Sequence, residues 1–273
     1  MSRRNHVLVS LSLALLVSLA GCATFTGSTD GGAGAGAQQG AEIRNDVVNE
    51  MESVESYNFS MVTTVSFGEN EQVTESNGTV NVTAQRMVTE SVTTVRTNSS
   101  QSKLGSTTYV FGDQQCLNLG GDWDQSTVDR SPWRTGANMS VQQELLNQSD
   151  ARLYNDTLDG EDVYVIEVRP SQEAIQSLLA GSETDVEFQD VTYRQYVDRE
   201  DERLLRSTMN ATYYVSGRQA NLSVTMTFSD YNTTEPIELP ASAVGTADDP
   251  GPCYGMTTAN TTDTTDASVY PAL

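Results

Sequence analysis

This sequence has very few of the residues on which most enzyme and metal sites depend. It has one histidine, His6, and one lysine, Lys103, among 273 residues. His6 lies in a segment that we expect to be removed, which leaves no imidazole for a catalytic triad or a metal site. No glycine-rich phosphate-binding loop is present. The sequence thus predicts no enzyme, no metal and no cofactor. Hydrolysis of a glycoside by carboxylates alone is the one enzymatic alternative left open.

Positive charge is also scarce. The chain has 15 Lys and Arg against 37 Asp and Glu, a formal net charge of −22. Such an acidic surface repels nucleic acid and anionic lipid headgroups, so neither is expected as a partner. The shortage of lysine with abundant Asp, Glu and Thr resembles the proteins of extreme halophiles, whose acidic surfaces stay hydrated in concentrated salt. An acidic surface protein of an ordinary mesophile is the alternative.

Long apolar runs are missing as well. The longest, residues 7–20, follows Arg3 and Arg4 and is too short to cross a bilayer, which takes about 20 apolar residues. It ends in Leu-Ala-Gly-Cys, which resembles the cleavage motif of a bacterial-type lipoprotein signal. That resemblance implies that Cys22 becomes the first mature residue and carries the lipid. An ordinary signal peptide with a chance cysteine is the alternative.

The export route stays open. Ser2, Arg3 and Arg4 resemble the start of a twin-arginine signal, but His6 stands where that motif has an aromatic or aliphatic residue. Either route delivers the protein outside the cytoplasm, and we expect a membrane location with the lipid as anchor. Cys116 and Cys253 are then an even pair in an oxidising setting, where they form a disulfide or remain as two buried thiols.

Composition divides the chain into four segments. Residues 1–21 are the predicted signal, and residues 22–41 are a Gly/Ala-rich flexible linker that starts at the lipidated cysteine. Residues 42–240 form the folded domain, and residues 241–273 form a loose Thr/Asp-rich tail that is pinned only if Cys253 pairs.

Periodicity predicts the elements of the domain. Ile43, Val47, Met51 and Val54 fall on one face of a helix. Alternating apolar and polar residues then predict strands, of which 57–67 and 220–228 show the clearest pattern. Asn77 and Gly78 are expected to form a hairpin turn. The strands predicted are residues 57–67, 80–82, 86–96, 107–111, 116–119, 163–168, 186–198, 204–215 and 220–228.

The connections are predicted from turn and capping residues. Residues 120–136 read as an irregular loop whose Trp123 and Trp133 either rim a ligand mouth or pin the loop. Capping patterns open helices at Ser140 and at Pro170, the second with Ile175, Leu178 and Leu179 on its apolar side. The elements together predict an α+β fold, an antiparallel sheet whose apolar face is covered by amphipathic helices.

Eleven N-x-Ser/Thr sequons occur in this Thr-rich chain, so any one alone carries little weight. Four of them fall on the polar side of predicted strands, where a glycan would be tolerated. These possible acceptors are Asn58, Asn81, Asn210 and Asn221.

Three local stretches resemble a known family. Residues 158–166 followed by Pro170, residues 193–198 followed by Leu204, and residues 228–232 resemble the lipoprotein-carrier fold of the LolA, LppX and LprG type. The similarity spans residues 42–240. It implies a sheet curved into a half-barrel around a helix-covered apolar cavity that accepts acyl chains. The side chains expected to line that cavity are Phe59, Met61, Phe67, Tyr109, Phe111, Leu222, Met226 and Phe228.

Two functions therefore compete. The first is a lipid-anchored, non-enzymatic protein that binds a hydrophobic ligand, such as a lipid, in the half-barrel. The second is a surface or interaction module in which the same apolar residues fill the interior and a glycosylated face meets a protein partner that the sequence does not identify.

The anchor can be tested directly. Replacing the acceptor thiol, Cys22→Ser, removes the only atom that the predicted lipid could modify at this motif, so the protein should move from the membrane fraction to the medium. Fractionation and immunoblotting measure this, and a neighbouring Thr24→Ser variant is the control. Cys22→Ser protein that stays in the membrane fraction would contradict lipidation.

Overall fold

The computed structural model describes residues 35–128, 142–143, 146, 151–170, 187–215 and 217–258. Most of these residues belong to one curved antiparallel sheet of 11 strands, with few helices. The strands are β1 Ser56–Phe67, β2 Asn70–Asn81, β3 Arg86–Arg96, β4 Gln101–Phe111, β5 Gln114–Leu119, β6 Asp122–Thr127, β7 Arg152–Leu158, β8 Glu161–Val168, β9 Glu187–Asp198, β10 Leu204–Val215 and β11 Arg218–Ser229.

The sheet consists of two meanders joined at its centre. Its strand order is β6-β5-β4-β3-β2-β1-β11-β10-β9-β8-β7. β1 pairs with β2 on one side and with β11 on the other, and both pairings are antiparallel. Since every other neighbour is also the next strand in sequence, the β1–β11 pairing is the contact that unites the two halves.

Helix α1, Ala35–Ser53, lies over one face of the sheet. It begins inside the stretch predicted to be a flexible linker, so the prediction is wrong for residues 35–41. Ala and Gln favour helix despite the glycines between them. The helix is also held close to the sheet here, because a Cβ on Gly40 would lie 3.7 Å from Leu153 Cδ2.

The apolar stripe of α1 is confirmed. Ile43, Val47, Met51 and Val54 are all buried, against aromatic and aliphatic side chains of β1, β8, β9, β10 and β11. We call the sheet face that contacts α1 the inner face and the opposite one the outer face. Tyr57, Phe59 and Met61 of β1 lie on the inner face, as their alternation predicts.

Helical cover is otherwise limited in the described part of the chain. Gln142, Gln143 and Leu146 are helical, in agreement with the helix predicted from Ser140, and Leu146 is fully buried against α1 and the sheet. Trp133 and the predicted helix from Pro170 lie outside the described residues. Among the residues described, no helix has both the length and the apolar character that a membrane crossing requires.

The hairpin predicted at Asn77 and Gly78 is wrong. Both residues lie inside β2, and Gly78 pairs with Phe59 on one side and Thr89 on the other. A Cβ on Gly78 would lie 2.5 Å from the Phe59 ring and 2.6 Å from Val88 O. The glycine thus allows an aromatic ring to cross the strand, and the turn falls at Gly68 and Glu69 instead.

The tail predicted to be loose is packed as far as the structure describes it. Residues 237–258 run across the outer face, with two short helices, α2 Ala241–Val244 and α3 Gly255–Thr258. The buried members of this outer cluster are Phe111, Cys116, Ile237, Ala243, Cys253 and Met256. The polar composition of this segment does not predict its packing, because the packing depends on a few apolar residues and on one disulfide bond.

That bond is a disulfide between Cys116 of β5 and Cys253, with Cα atoms 5.9 Å apart. Arg86 strengthens the attachment, since its Nη1 donates to Ile237 O at 2.9 Å and its guanidinium lies 4.6 Å from the Phe111 ring centroid. Trp123, predicted to lie in an irregular loop, belongs to strand β6 and packs beside Tyr109 at the edge of this cluster.

Gly78→Ala should destabilise the fold by about 1–3 kcal/mol, because the added methyl group collides with a packed ring and with backbone. Gly105→Ala is the matched control. Gly105 also lies inside a strand, but a Cβ there meets nothing within 4 Å, so the change should be neutral or slightly stabilising. Urea unfolding measures both variants, and equal stabilities would contradict the proposed role of Gly78.

Removing the disulfide should lower the free energy of unfolding by about 2–5 kcal/mol, since the bond closes a long loop across 137 positions. The test compares the double variant Cys116→Ala and Cys253→Ala with the wild type by denaturant unfolding. Wild-type protein should also migrate differently on non-reducing and reducing gels. Identical migration would show that the two cysteines are not bonded.

Candidate ligand-binding face

Register determines which side chains share the inner face. Phe59 lies opposite Phe228, and Met61 lies opposite Met226. The set continues across β10 and β9, where Ser207 opposes Gln195 and Met209 opposes Tyr193. A single face therefore collects residues from both halves of the chain.

One end of the inner face is closed by α1. Phe59, Met61, Met226 and Phe228, four of the residues predicted to line a cavity, are buried here in one cluster with the helix stripe. Tyr57 and Phe228 add a tilted ring contact with centroids 5.9 Å apart. These four side chains act as core in the structure.

The other end of the inner face keeps apolar surface accessible. Leu222 is buried there with Ala211, Tyr213 and Ala220. Around them lies a set of half-buried side chains from β1, β9, β10 and β11 that we call the apolar lane. Its members are Val65, Phe67, Phe188, Val191, Met209 and Val224.

The inner face changes character on the side of β2 and β3. Thr74 Oγ1 and Thr93 Oγ1 are 3.1 Å apart, and Ser76 Oγ and Ser91 Oγ are 2.8 Å apart, so these hydroxyls pair across the strands. Paired hydroxyls cost little to bury. The apolar lane is therefore flanked, on the side of β2 and β3, by neutral hydroxyl groups that hydrogen-bond to one another.

Two of the predicted cavity residues lie elsewhere. Tyr109 and Phe111 point to the outer face, where they pack against the C-terminal segment. Burial, aided by the nearby carboxylate of Glu90, raises the pKa of Tyr109 above its ordinary value. Residues 107–111 are predicted as a strand, but the sequence does not tell which face of that strand is which, and apolar residues occupy both faces of β4.

A buried polar cluster on the inner face was missed by the sequence reading. It consists of Gln142, Tyr193, Gln195 and Ser207, each less than a tenth exposed. Tyr193 OH donates to Gln142 Oε1, and Gln195 Nε2 donates to Gln142 O at 2.9 Å and to Tyr193 OH at 2.9 Å. The sequence contains an indication of this cluster, because Gln195 lies between Tyr193 and Val197 at the alternate positions of β9 that are otherwise apolar.

Burial raises the pKa of the Tyr193 phenol well above its ordinary value, and hydrogen bonds with Gln195 and Ser207 only partly oppose this. The phenol is therefore neutral at any physiological pH. All four members of the cluster are uncharged, so the buried polar groups at this place on the inner face are neutral hydrogen-bonding groups.

The outer face carries a different feature. A shallow depression of about 330 Å³ crosses β1, β11, β10 and β9. Besides Ala211 and Leu222 its lining is hydroxyl, amide and one carboxylate, namely Thr64, Ser66, Asp190, Thr192, Asn210, Thr212, Asn221 and Ser223. It is polar and lies on the face opposite the apolar lane, so it is not the predicted acyl cavity.

The four sequons proposed for glycans differ in their surroundings. Asn210 and Asn221 are exposed beside this depression. Asn58 Nδ2 donates to Asp230 Oδ2 at 2.9 Å, and its Oδ1 accepts from Thr79 at 2.7 Å. Asn81 Oδ1 accepts from the Ala84 amide at 2.7 Å. Asn58 therefore holds the loop after β11 and Asn81 the turn after β2.

Comparison with family models gives no match, and comparison with curated proteins gives none either. Among solved structures, LprF from Mycobacterium bovis is 12% identical, with a TM-score of 0.48, over 74% of this chain and 96% of its own. The lipoprotein LppX from Mycobacterium tuberculosis is 14% identical, with a TM-score of 0.46, over 74% and 99%.

A LolA superfamily protein from Nitrosomonas europaea follows at 11% identity and a TM-score of 0.26, over 74% of this chain and 94% of its own. The neighbours are thus proteins of the LolA, LppX and LprF type. At such identities and scores, function has to be derived from this chain's own residues.

Proposed function

We propose that this protein is a lipid-anchored, extracytoplasmic and non-enzymatic protein that binds a hydrophobic ligand on the inner face of its sheet. The observation that carries the proposal is the apolar lane, whose six side chains stay half-buried although α1 covers the adjoining core. Accessible apolar surface marks ligand grooves as well as protein and membrane contacts, and a ligand groove is the role that we propose for it here.

The dimensions of the lane suit an alkyl chain. It crosses four neighbouring strands in the order β1, β11, β10 and β9, which is about 14 Å at the ordinary strand spacing. Covering it with a chain would remove apolar surface from water, and each methylene buried is worth about 0.8 kcal/mol. Along the strand direction, Phe67 and Phe188 lie toward one end of the lane and Met209 toward the other.

The anchor fits the same proposal. With a lipid on Cys22, only a short spacer precedes α1, which begins at Ala35 and covers the inner face. The binding face is then within reach of membrane lipids. We extend the proposal to a halophilic archaeal setting, because a net charge of −22 with a single lysine suits a surface that is hydrated in concentrated salt.

An interaction module remains the second candidate, and the outer face favours it. Asn210 and Asn221 are exposed sequons that line one depression, and we propose them as the glycan acceptors ahead of Asn58, whose Nδ2 already donates to Asp230. This role would use the outer face and would not require the lane to be occupied.

Binding can be measured without knowing the natural ligand. Diphenylhexatriene, an apolar probe without hydrogen-bonding groups, should fluoresce when it enters the lane of delipidated protein. Native mass spectrometry of the protein as purified should show a lipid adduct that delipidation removes. Absence of both would contradict the proposal and leave the interaction module.

Adjacent residues of β11 provide a matched pair of variants. Val224→Gln places an amide in the lane and should weaken probe binding about tenfold, since burial of an apolar side chain of this size is worth about 1.5–3 kcal/mol. Thr225→Gln changes the next residue, which is also half-buried but faces outward, and should bind the probe like the wild type. Equal weakening by both variants would show that the lane is not the site.

A further inference from the structure

Gln195 is fully buried, and within the described part of the chain the nitrogen of its amide has partners but the oxygen has none. Its Nε2 contacts three acceptors, namely Gln142 O at 2.9 Å, Gln142 Oε1 at 3.3 Å and Tyr193 OH at 2.9 Å. Its Oε1 is buried and has no hydrogen-bond partner among the residues that the structure describes. An amide oxygen in that condition carries a desolvation cost that a donor would relieve.

The orientation of this amide follows from its neighbours. Gln142 O is a backbone carbonyl, which can only accept, so the group that faces it has to be the NH₂. Rotating the amide would turn its oxygen toward that carbonyl and leave two acceptors in contact. The unpartnered atom is therefore an acceptor, and the missing group is a donor.

Gln195 is close to the apolar lane. Tyr193 precedes it on the inner face of β9 and lies opposite Met209, a member of the lane. Adjacent inner-face positions along a strand are about 7 Å apart. A chain in the lane that continues one inner-face position beyond Met209 would therefore bring its terminal group level with Gln195.

The residues around Gln195 Oε1 indicate which charge a bound donor group can have. Gln142, Tyr193 and Ser207, the polar partners of this site, are neutral. A carboxylate or phosphate would meet an amide oxygen with like partial charge, and a cation would be buried without a counter-ion. A neutral O–H or N–H is the donor that the site accepts without penalty.

We propose that Gln195 Oε1 accepts a hydrogen bond from a neutral donor at the polar end of a bound hydrophobic ligand, which makes the protein selective for hydroxyl-bearing lipids. This inference rests on the proposed function. It adds a specificity-determining residue and names the ligand class, an uncharged lipid with a free hydroxyl or amide N–H.

The test compares two ligands that differ in one hydrogen-bond donor. Hexadecanol and hexadecyl methyl ether have the same chain and the same oxygen, but only the alcohol donates. Each is delivered from cyclodextrin and competes with diphenylhexatriene for the full-length protein. The alcohol should bind about tenfold more tightly than the ether, as one hydrogen bond to a desolvated acceptor allows.

Variants then assign the preference to the residue. Gln195→Met keeps the length of the side chain but has no amide oxygen, so the alcohol should lose its advantage. Gln189→Met changes an exposed glutamine of the same strand and should keep it. Tyr193→Phe removes a partner of Nε2 but leaves Oε1 in place, so it should keep the preference as well.

The outcomes separate this inference from the proposed function. Alcohol and ether that displace the probe equally from the wild type would overturn the role of Gln195, leave hydrophobic binding intact and point to a buried water as the donor. A preference that survives in Gln195→Met would also overturn it. If neither ligand nor the probe binds, the proposed function fails, and the inference fails with it.

Discussion

The pairing of β1 with β11 is the constraint on which the rest of the structure depends. The partners run from Asn58 opposite Ser229 to Ser66 opposite Asn221 without a shift. This register joins two local meanders into one sheet and places Phe228 and Met226 beside Phe59 and Met61. A slip of one residue would turn the apolar side chains of β11 to the outer face. The core under α1 and the apolar lane both follow from it.

Local pattern was sufficient where a strand is covered on one side only. The alternation of β1 and of β11 predicted their inner-face residues, and the bounds of β3 and β10 were predicted to the residue, Arg86–Arg96 and Leu204–Val215. β1, β10 and β11 have a largely apolar inner face and a polar outer face, and β3 is rich in Val and Thr, which favour strands. Period-two patterning decides such strands without knowledge of the partner.

The predictions from sequence are wrong where a contact between distant residues determines the local structure. Asn77 and Gly78 have the composition of a turn. Gly78 instead leaves room for the ring of Phe59, which lies 19 positions earlier in the chain, so the contact cannot be inferred from neighbouring residues. Tyr109 and Phe111 looked like cavity residues, because nothing local shows that the C-terminal segment covers their face. Cys253 and Met256 lie in a stretch whose composition is that of a disordered tail, and their burial depends on Cys116 and Phe111.

The two faces of the sheet differ in polarity, and this difference is compatible with the hydrophobic site that we propose in a strongly acidic chain. The ion pairs of the described residues involve partly or largely exposed arginines, such as Arg96 with Glu71 and Arg206 with Asp159, and such pairs contribute little to stability. The inner-face polar groups that we place near the lane are neutral hydroxyls and amides, which pair with one another at Ser76 and Ser91 and at Tyr193 and Gln195. An uncharged interior accepts an alkyl chain without burying a countercharge. The hydroxyls of Ser76 and Ser91 are already paired, whereas the Gln195 oxygen has no partner among the described residues, so the selectivity that we propose for this face depends on that acceptor.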